Sequence, residues 1–275
     1  MFNAKHIVIT GGSSGLGLEL AQRLAAEGAR LTLLARDPQK LEQAASDIRR
    51  QAPTAQVKVQ AVDVCDEEAT LAAMQQIAEQ NDGIDMLINS AGILREGSFG
   101  QSSPKDFRDV MEINYFGLLN SSRAALPYLL QSRGRLVNIA SMAGFTGAYG
   151  YSAYCASKHA VVGFSEVLRF ELKPQGVQVH LVCPGEFDSP MVDDIDTYRS
   201  AENRAHTQTI PKASVESIAA DTLAGIRANR YLIIPGRTAR MAGFVVRHFP
   251  GLMRLLGDRT ITRVQRSRQT PGGAA

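Results

Sequence analysis

Short runs of apolar, largely β-branched residues alternate along the chain with longer segments in which apolar positions recur every three or four residues. HIVIT, LTLLA, MLIN, RLVNIA and VQVHLV are nearly continuous in apolar residues, the pattern of strands covered on both faces. Segments such as Leu16 to Glu27 and Pro38 to Gln51 each carry a single apolar stripe, which predicts helices laid against a sheet. Strands are expected at about 6–10, 30–35, 57–62, 84–88, 135–140, 177–182 and 231–234. This alternation predicts an α/β fold: a Rossmann-type, doubly wound, parallel, seven-stranded sheet flanked by helices, with an amphipathic C-terminal tail.

Two segments break the rhythm. Residues 184–213 form a long polar connection, and a connection of that length either acts as a lid or carries short helices of its own. From Arg237 onward, Phe244, Val245, Val246, Phe249, Leu252, Met253, Leu255 and Leu256 are interleaved with arginines. Pro250-Gly251 should split that tail into two short helices. The expected organisation is one dinucleotide-binding catalytic domain over 1–236 and a basic, apolar extension over 237–275, with no repeat or low-complexity stretch before the final PGGAA.

Composition narrows the function classes. With 44% hydrophobic and 21% charged residues the chain is ordinary globular protein, which excludes extensive disorder. Cys65, Cys155 and Cys183 lie far apart without a C-x-x-C pair, so no disulfide framework and no metal site is expected, and a reducing cytoplasmic compartment fits. The start of the chain lacks the regions of a secretory signal, and no stretch approaches the ~20 apolar residues of a spanning helix. A net charge of +3 is too small for a nucleic-acid binder. Its distribution is uneven: the eight arginines between Arg237 and Arg268 face one acid, Asp258, so the basic character belongs to the tail.

Candidate chemistry begins at the first strand, which runs into Thr10-Gly11-Gly12-Ser13-Ser14-Gly15-Leu16-Gly17. Glycines there permit a tight turn, leave backbone amides free to approach a pyrophosphate, and aim a helix N-terminus at it. The second strand ends in Ala35-Arg36, where an acid would hold the ribose of NAD; a guanidinium suits the 2′-phosphate of NADPH instead, although Asp37 next door remains within reach of a ribose. Asp63-Val64 places a carboxylate near an adenine, and Asn89-Ser90-Ala91-Gly92 is a small-residue turn that lets the backbone pass beneath a cofactor; either also serves as an ordinary turn.

Tyr154 and Lys158 are one helical turn apart in the helical segment Ser152 to Leu172, and Ser141 closes the fifth strand. A phenol is a poor acid–base catalyst near neutrality, and a neighbouring ammonium should draw its pKa down. A serine hydroxyl at the carboxyl edge of the sheet is placed to hold a carbonyl.

With these motifs the chain resembles the short-chain dehydrogenases/reductases over about residues 5–235: T-G-x-x-x-G-x-G at Thr10–Gly17, the asparagine–alanine–glycine turn at Asn89–Gly92, Y-x-x-x-K at Tyr154–Lys158, and Pro184-Gly185 after the sixth strand. The resemblance implies that Ser141 positions a carbonyl, that Tyr154 is the acid or base, and that Lys158 binds the nicotinamide ribose and lowers the tyrosine pKa. It further implies that Asn114 holds a relay water, that hydride comes from NADPH, and that the chain forms homodimers or homotetramers. Ser90 stands where the family carries a second asparagine, and Glu186-Phe187-Asp188-Ser189 replaces a more apolar stretch, with Phe187 and Ser189 at positions that meet the cofactor.

A narrower likeness to 3-ketodihydrosphingosine reductases runs through Ala35-Arg36 to Lys40-Leu41, Asp188-Ser189-Pro190, Glu202-Asn203-Arg204 and Thr207-Gln208-Thr209. It implies a long-chain ketone drawn from a membrane, and the tail over 237–268 then either rests on an anionic bilayer or packs over the cleft or a partner subunit. Reduction of 3-oxoacyl, steroid or xenobiotic carbonyls, and a non-catalytic NADP-binding regulator, are the alternatives.

Overall fold

In the computed structural model, which describes residues 1–209 and 211–269, seven parallel strands stand in the order β3-β2-β1-β4-β5-β6-β7. They are β1 (His6–Thr10), β2 (Arg30–Ala35), β3 (Gln56–Ala61), β4 (Met86–Asn89), β5 (Arg135–Ile139), β6 (Gln178–Val182) and β7 (Leu232–Ile233). All the strands expected from the sequence are present. β4 starts two residues later than expected; Asp85, just before it, still bonds His6 and Arg135 through its backbone, and its carboxylate accepts from the His6 amide at 2.8 Å and pairs with Lys5 at 2.7 Å.

The helices are α1 (Gly15–Ala26), α2 (Pro38–Gln51), α3 (Glu67–Asn81), α4 (Pro104–Met111), α5 (Gly117–Ser132), α6 (Ser152–Leu172), α7 (Pro190–Asp196), α8 (Ala201–Thr207), α9 (Val215–Arg227), α10 (Arg237–His248) and α11 (Pro250–Gln269). Alternation along β1 sends Ile7 and Ile9 to one face and Val8 to the other. Leu20 and Leu24 of α1, Leu41 and Ile48 of α2 and Leu223 and Ile226 of α9 cover the first face. Met74 and Ile77 of α3 and Leu129 of α5 cover the second. Both faces are therefore dry, and the central strands are buried throughout.

β1 pairs β2 on one side and β4 on the other, so the chain changes direction across the sheet there and opens a crevice at the carboxyl ends of the strands. The polar connection over 184–213 carries two short helices, α7 and α8. The tail breaks at Pro250 as expected, but its second helix is not short: α11 runs for 20 residues. Residues 270–275, which hold the end of the expected extension and its PGGAA, lie outside the described residues. Among the described residues no helix is long and apolar enough to cross a membrane.

Candidate active site

The glycine turn after β1 is shaped by close backbone contacts. Gly11 has φ +66°, and a Cβ there would stand 2.8 Å from the Ala91 nitrogen; one on Gly17 would stand 2.4 Å from the Gly11 oxygen. The Thr10 hydroxyl accepts from the amides of Ser90 and Ala91 at 3.1 and 3.2 Å, fastening the turn after β4 to the end of β1. Asp37, Asp66, Ser103, Ser200 and Ser214 cap α2, α3, α4, α8 and α9 with their side chains. Ser14, at the start of α1, makes no such bond, and the first turn of α1 has no acid. Gly11, Ser14, Gly15 and Leu16 instead line a cavity. An uncapped helix N-terminus with its amides turned to a cavity suits an anion such as a pyrophosphate.

Arg36, Asp63 and Val64 lie outside this cavity, beyond the ends of β2 and β3. Arg36 is exposed. The Asp37 carboxylate accepts from the amides of Gln39 and Lys40 at 3.0 and 3.1 Å and so serves α2. Asp63 accepts from the Cys65 amide at 3.0 Å, and the buried Val64 accepts at its carbonyl from Asn120. Asn89 turns its side chain into the core, where Nδ2 donates to Ser122 and Asn138 at 2.9 Å; only its backbone belongs to the turn.

Ser141 caps the short 3-10 turn Met142–Gly144, its hydroxyl accepting from the Ala143 amide at 3.1 Å. Gly144 is what lets α6 come so near, since a Cβ there would stand 2.8 Å from the Lys158 carbonyl oxygen. Lys158 is buried; its Nζ donates to the Ile139 carbonyl at 3.0 Å and lies 5.6 Å from the centre of the Tyr154 ring. Asn114 sits in a π-helical turn, Glu112–Phe116, between α4 and α5. Its side chain accepts from the Ile93 amide at 2.8 Å and donates to the Ile93 carbonyl and the Ser157 hydroxyl at 2.9 and 3.0 Å. Asn114 thus clamps the segment after Gly92 against α6, the kind of placement for which π turns recur near sites.

The expected lowering of the Tyr154 pKa meets an opposing effect: burial pushes the phenol up to about 12, while hydrogen bonding from Ser141 acts the other way. Burial also brings Lys158 itself down to about 8. Near neutrality the pair is a protonated phenol beside an ammonium, which is the arrangement a proton donor needs.

The cavity, of about 720 Å³, runs from the glycine turn past Ala91, Gly92, Ser141, Tyr154 and Lys158 to Pro184, Gly185, Phe187 and Ser189. Ser189 caps α7 through the Val192 amide and overhangs the glycine turn, 4.0 Å from where a Cβ on Gly15 would lie. Sequence reasoning missed a buried knot in this loop. Arg199, with no side-chain exposure, pairs with Glu186 and with Asp196, which is 2.9 Å away; it also donates to Asn203, to Thr207 and to the Tyr151 hydroxyl, while Lys212 pairs with Asp196. Tyr151 meets the Tyr154 ring edge-on at 6.0 Å. Also missed was His206, which lines the cavity; the tail meets the expectation of packing over the cleft, reaching the cavity through Ala242, Val246, Met253, Gly257 and Ile261. Four-residue steps within each helix were the available signal.

Known proteins agree with this geometry. A family model described as short chain dehydrogenase matches residues 5–200. A 3-dehydrosphinganine reductase of Danio rerio is 33% identical over 221 residues, 79% of this chain and 67% of that one, so the chain spans about two thirds of that relative's length. A meso-2,3-butanediol dehydrogenase of Serratia marcescens is 34% identical over 183 residues, 66% of this chain and 71% of that one. Among solved structures, a short chain dehydrogenase/reductase of Burkholderia phymatum in complex with NAD superposes with a TM-score of 0.80 at 26% identity, covering 93% of this chain and 96% of that one. One of Burkholderia cenocepacia in complex with NADP gives 0.78 at 25%, covering 95% and 99%. With a Rossmann-like sheet, an uncapped glycine turn and a tyrosine–lysine pair facing one cavity, the chain belongs to the short-chain dehydrogenase family of oxidoreductases.

Proposed function

We propose that this protein is an NADPH-dependent reductase that converts a lipid-like ketone, of the 3-ketodihydrosphingosine kind, to a secondary alcohol. The observation that carries the reading is the convergence of Ser141, Tyr154 and Lys158 on one cavity that continues from the uncapped N-terminus of α1 to the apolar side of α10 and α11. A bound nicotinamide dinucleotide supplies the hydride. Ser141 donates a hydrogen bond to the carbonyl oxygen, and Tyr154, kept protonated by burial, gives that oxygen its proton. Lys158 would hold the nicotinamide ribose, and Asn114 fixes the backbone after Gly92 beside it. Thr10, Gly11, Ser13, Ser14, Gly15, Leu16 and Gly17 would hold the pyrophosphate; Asp63, Val64 and the Asn89–Gly92 turn would serve the adenosine and ribose; Pro184, Gly185, Phe187 and Ser189 would serve the nicotinamide.

NADPH is preferred to NADH in this reading because the cation at the end of β2, Arg36, is exposed while the adjacent Asp37 carboxylate is engaged at the start of α2. The lipid-like substrate rests on the named relative in Danio rerio and on the apolar far wall of the cavity. Met241, Phe244, Phe249, Leu252, Leu255 and Leu256 stand exposed among arginines on the outside of the tail, which suits a peripheral site on an anionic membrane facing the cytoplasm. Exposed Val167 and Phe170 on α6 suit a homo-oligomer.

The test is consumption of NADPH with 3-ketosphinganine, run beside Arg36→Asp. The wild-type chain should oxidise NADPH in preference to NADH, and the variant should move the ratio of their dissociation constants about tenfold toward NADH. A ratio that does not move removes the 2′-phosphate assignment, and inertness toward every ketone removes the reductase.

A further inference from the structure

The tail presents two unlike faces. Its large apolar side chains point away from the protein: Met241, Phe244, Phe249, Leu252, Leu255 and Leu256 are between 46% and 66% exposed. Its inner face carries Ala242, Val246, Met253, Gly257 and Ile261, and all five line the cavity that holds Ser141 and Tyr154. Arg254 and Asp258 also border the cavity but are exposed, so they stand at its rim.

The inner face is seated against the body at three places. Gly243 lets α10 lie on the turn beside Ser141, since a Cβ there would come within 3.0 Å of Ile234 and 3.4 Å of Met142. Gly257 lets α11 lie on α8, where a Cβ would come within 3.2 Å of the His206 ring nitrogen Nε2. The other nitrogen of that ring, Nδ1, accepts from the Tyr149 amide at 3.1 Å, which fixes the ring in place. Near its end α11 is held by Arg268, whose Nη1 lies 3.0 Å from both carboxylate oxygens of the buried Glu202 on α8. Small residues at both close contacts and a charged clamp at the far end describe a fixed wall, not a loosely adsorbed helix.

We propose that this inner face is a subsite for the alkyl chain of the ketone, with Met253 and Ile261 setting the length it accepts. The inference rests on the lipid-like substrate proposed above. Its physical basis is that the cavity has a polar end, where Ser141 and Tyr154 meet the carbonyl, and a wall of aliphatic and small residues beyond it. A carbonyl fixed at the first end can lay its hydrocarbon substituent along that wall, which faces Leu94, Phe145, Met191 and Val192 in the same cavity. Burial there should raise kcat/KM by about threefold to fourfold per methylene until the wall ends.

The experiment measures kcat/KM with methyl ketones from butanone to dodecan-2-one for the wild-type chain, Met253→Trp and Ile261→Trp. Calorimetric titration of dodecan-2-one into the full chain without cofactor supplies a readout apart from turnover. The wild type should climb with chain length. The indole in either variant should leave butanone within about twofold and reduce dodecan-2-one about tenfold or more, the equivalent of roughly two methylenes left uncovered, with a parallel loss in the titration. A wild type indifferent to chain length overturns the lipid reading and the subsite with it. A wild type that climbs, with variants that climb equally, overturns the subsite alone. An equal loss at every length in both variants also overturns it, because that marks a disturbed catalytic centre and not a filled chain site.

Discussion

At the glycine turn, the surface offered to a ligand is backbone: amides at the start of α1, with Gly11 and Gly17 packed so closely that no side chain fits. Elsewhere in the cavity the surface is largely side chain, contributed by α6, by the loop that carries α7 and α8, and by two helices from the end of the sequence. The first end is made by residues contiguous in sequence and needs few partners. The second depends on an ion network gathered round the buried Arg199 to hold its pieces together. Contacts made by backbone tolerate little substitution, whereas a wall of side chains can be reshaped one residue at a time.

The sharpest way to separate the two ends from the chemistry between them is Tyr154→Phe. Loss of the proton donor should lower kcat by about 10²–10⁴-fold while leaving NADPH affinity, measured by fluorescence titration, close to wild type. Next in size is Arg199→Met, which takes the buried guanidinium away from Glu186 and Asp196 and leaves the half-buried Lys212 as the one cation this network offers to both carboxylates. Thermal and urea unfolding should report a loss of about 3–5 kcal/mol, with KM for the ketone raised and NADPH affinity little changed. An equal loss of affinity for both ligands would break the comparison, since the loop would then be supporting the glycine turn as well.

The smallest effect on stability runs the other way. Lys158 is brought down to about 8 by burial, so at pH 7 the folded chain carries a buried ammonium at a cost. Lys158→Met should abolish turnover yet stabilise the fold by about 1–3 kcal/mol at pH 7. Between about pH 8 and 10.5 the unfolded chain binds a proton that the folded chain does not, so wild-type stability contains a contribution that rises with pH across that window. The advantage of methionine should therefore shrink as unfolding is repeated at higher pH.

Much of the fold could be read from the sequence because strands covered on both faces leave unbroken apolar runs, and all seven were found within two residues of their starts. The glycine turn and the tyrosine–lysine pair were legible for a related reason: their residues are neighbours in the chain. Arg199 was not, because a lone arginine in a polar stretch reads as solvated, and it is buried only by partners from separate turns of the loop and from Tyr151. The tail was legible only in part: Val246 and Met253 stood out as apolar, but nothing in the spacing alone told the inner face they belong to from the outer face of Phe244, Leu252 and Leu255. The upward push of burial on the Tyr154 pKa could not be read either, because sequence spacing shows which charges are near but not how dry the site is.

Gly144 has a further consequence. The distance between the 3-10 turn after β5 and α6 is set there by a glycine with no room for a side chain against the Lys158 carbonyl and Val162, so the reacting hydroxyl, phenol and amine ride on a single rigid unit. Remodelling of the loop or the tail can alter which molecules are admitted without shifting that unit, whereas even an alanine at this one glycine would wedge its halves apart and, at the steep distance dependence of proton transfer, cost more turnover than many changes elsewhere in the lining.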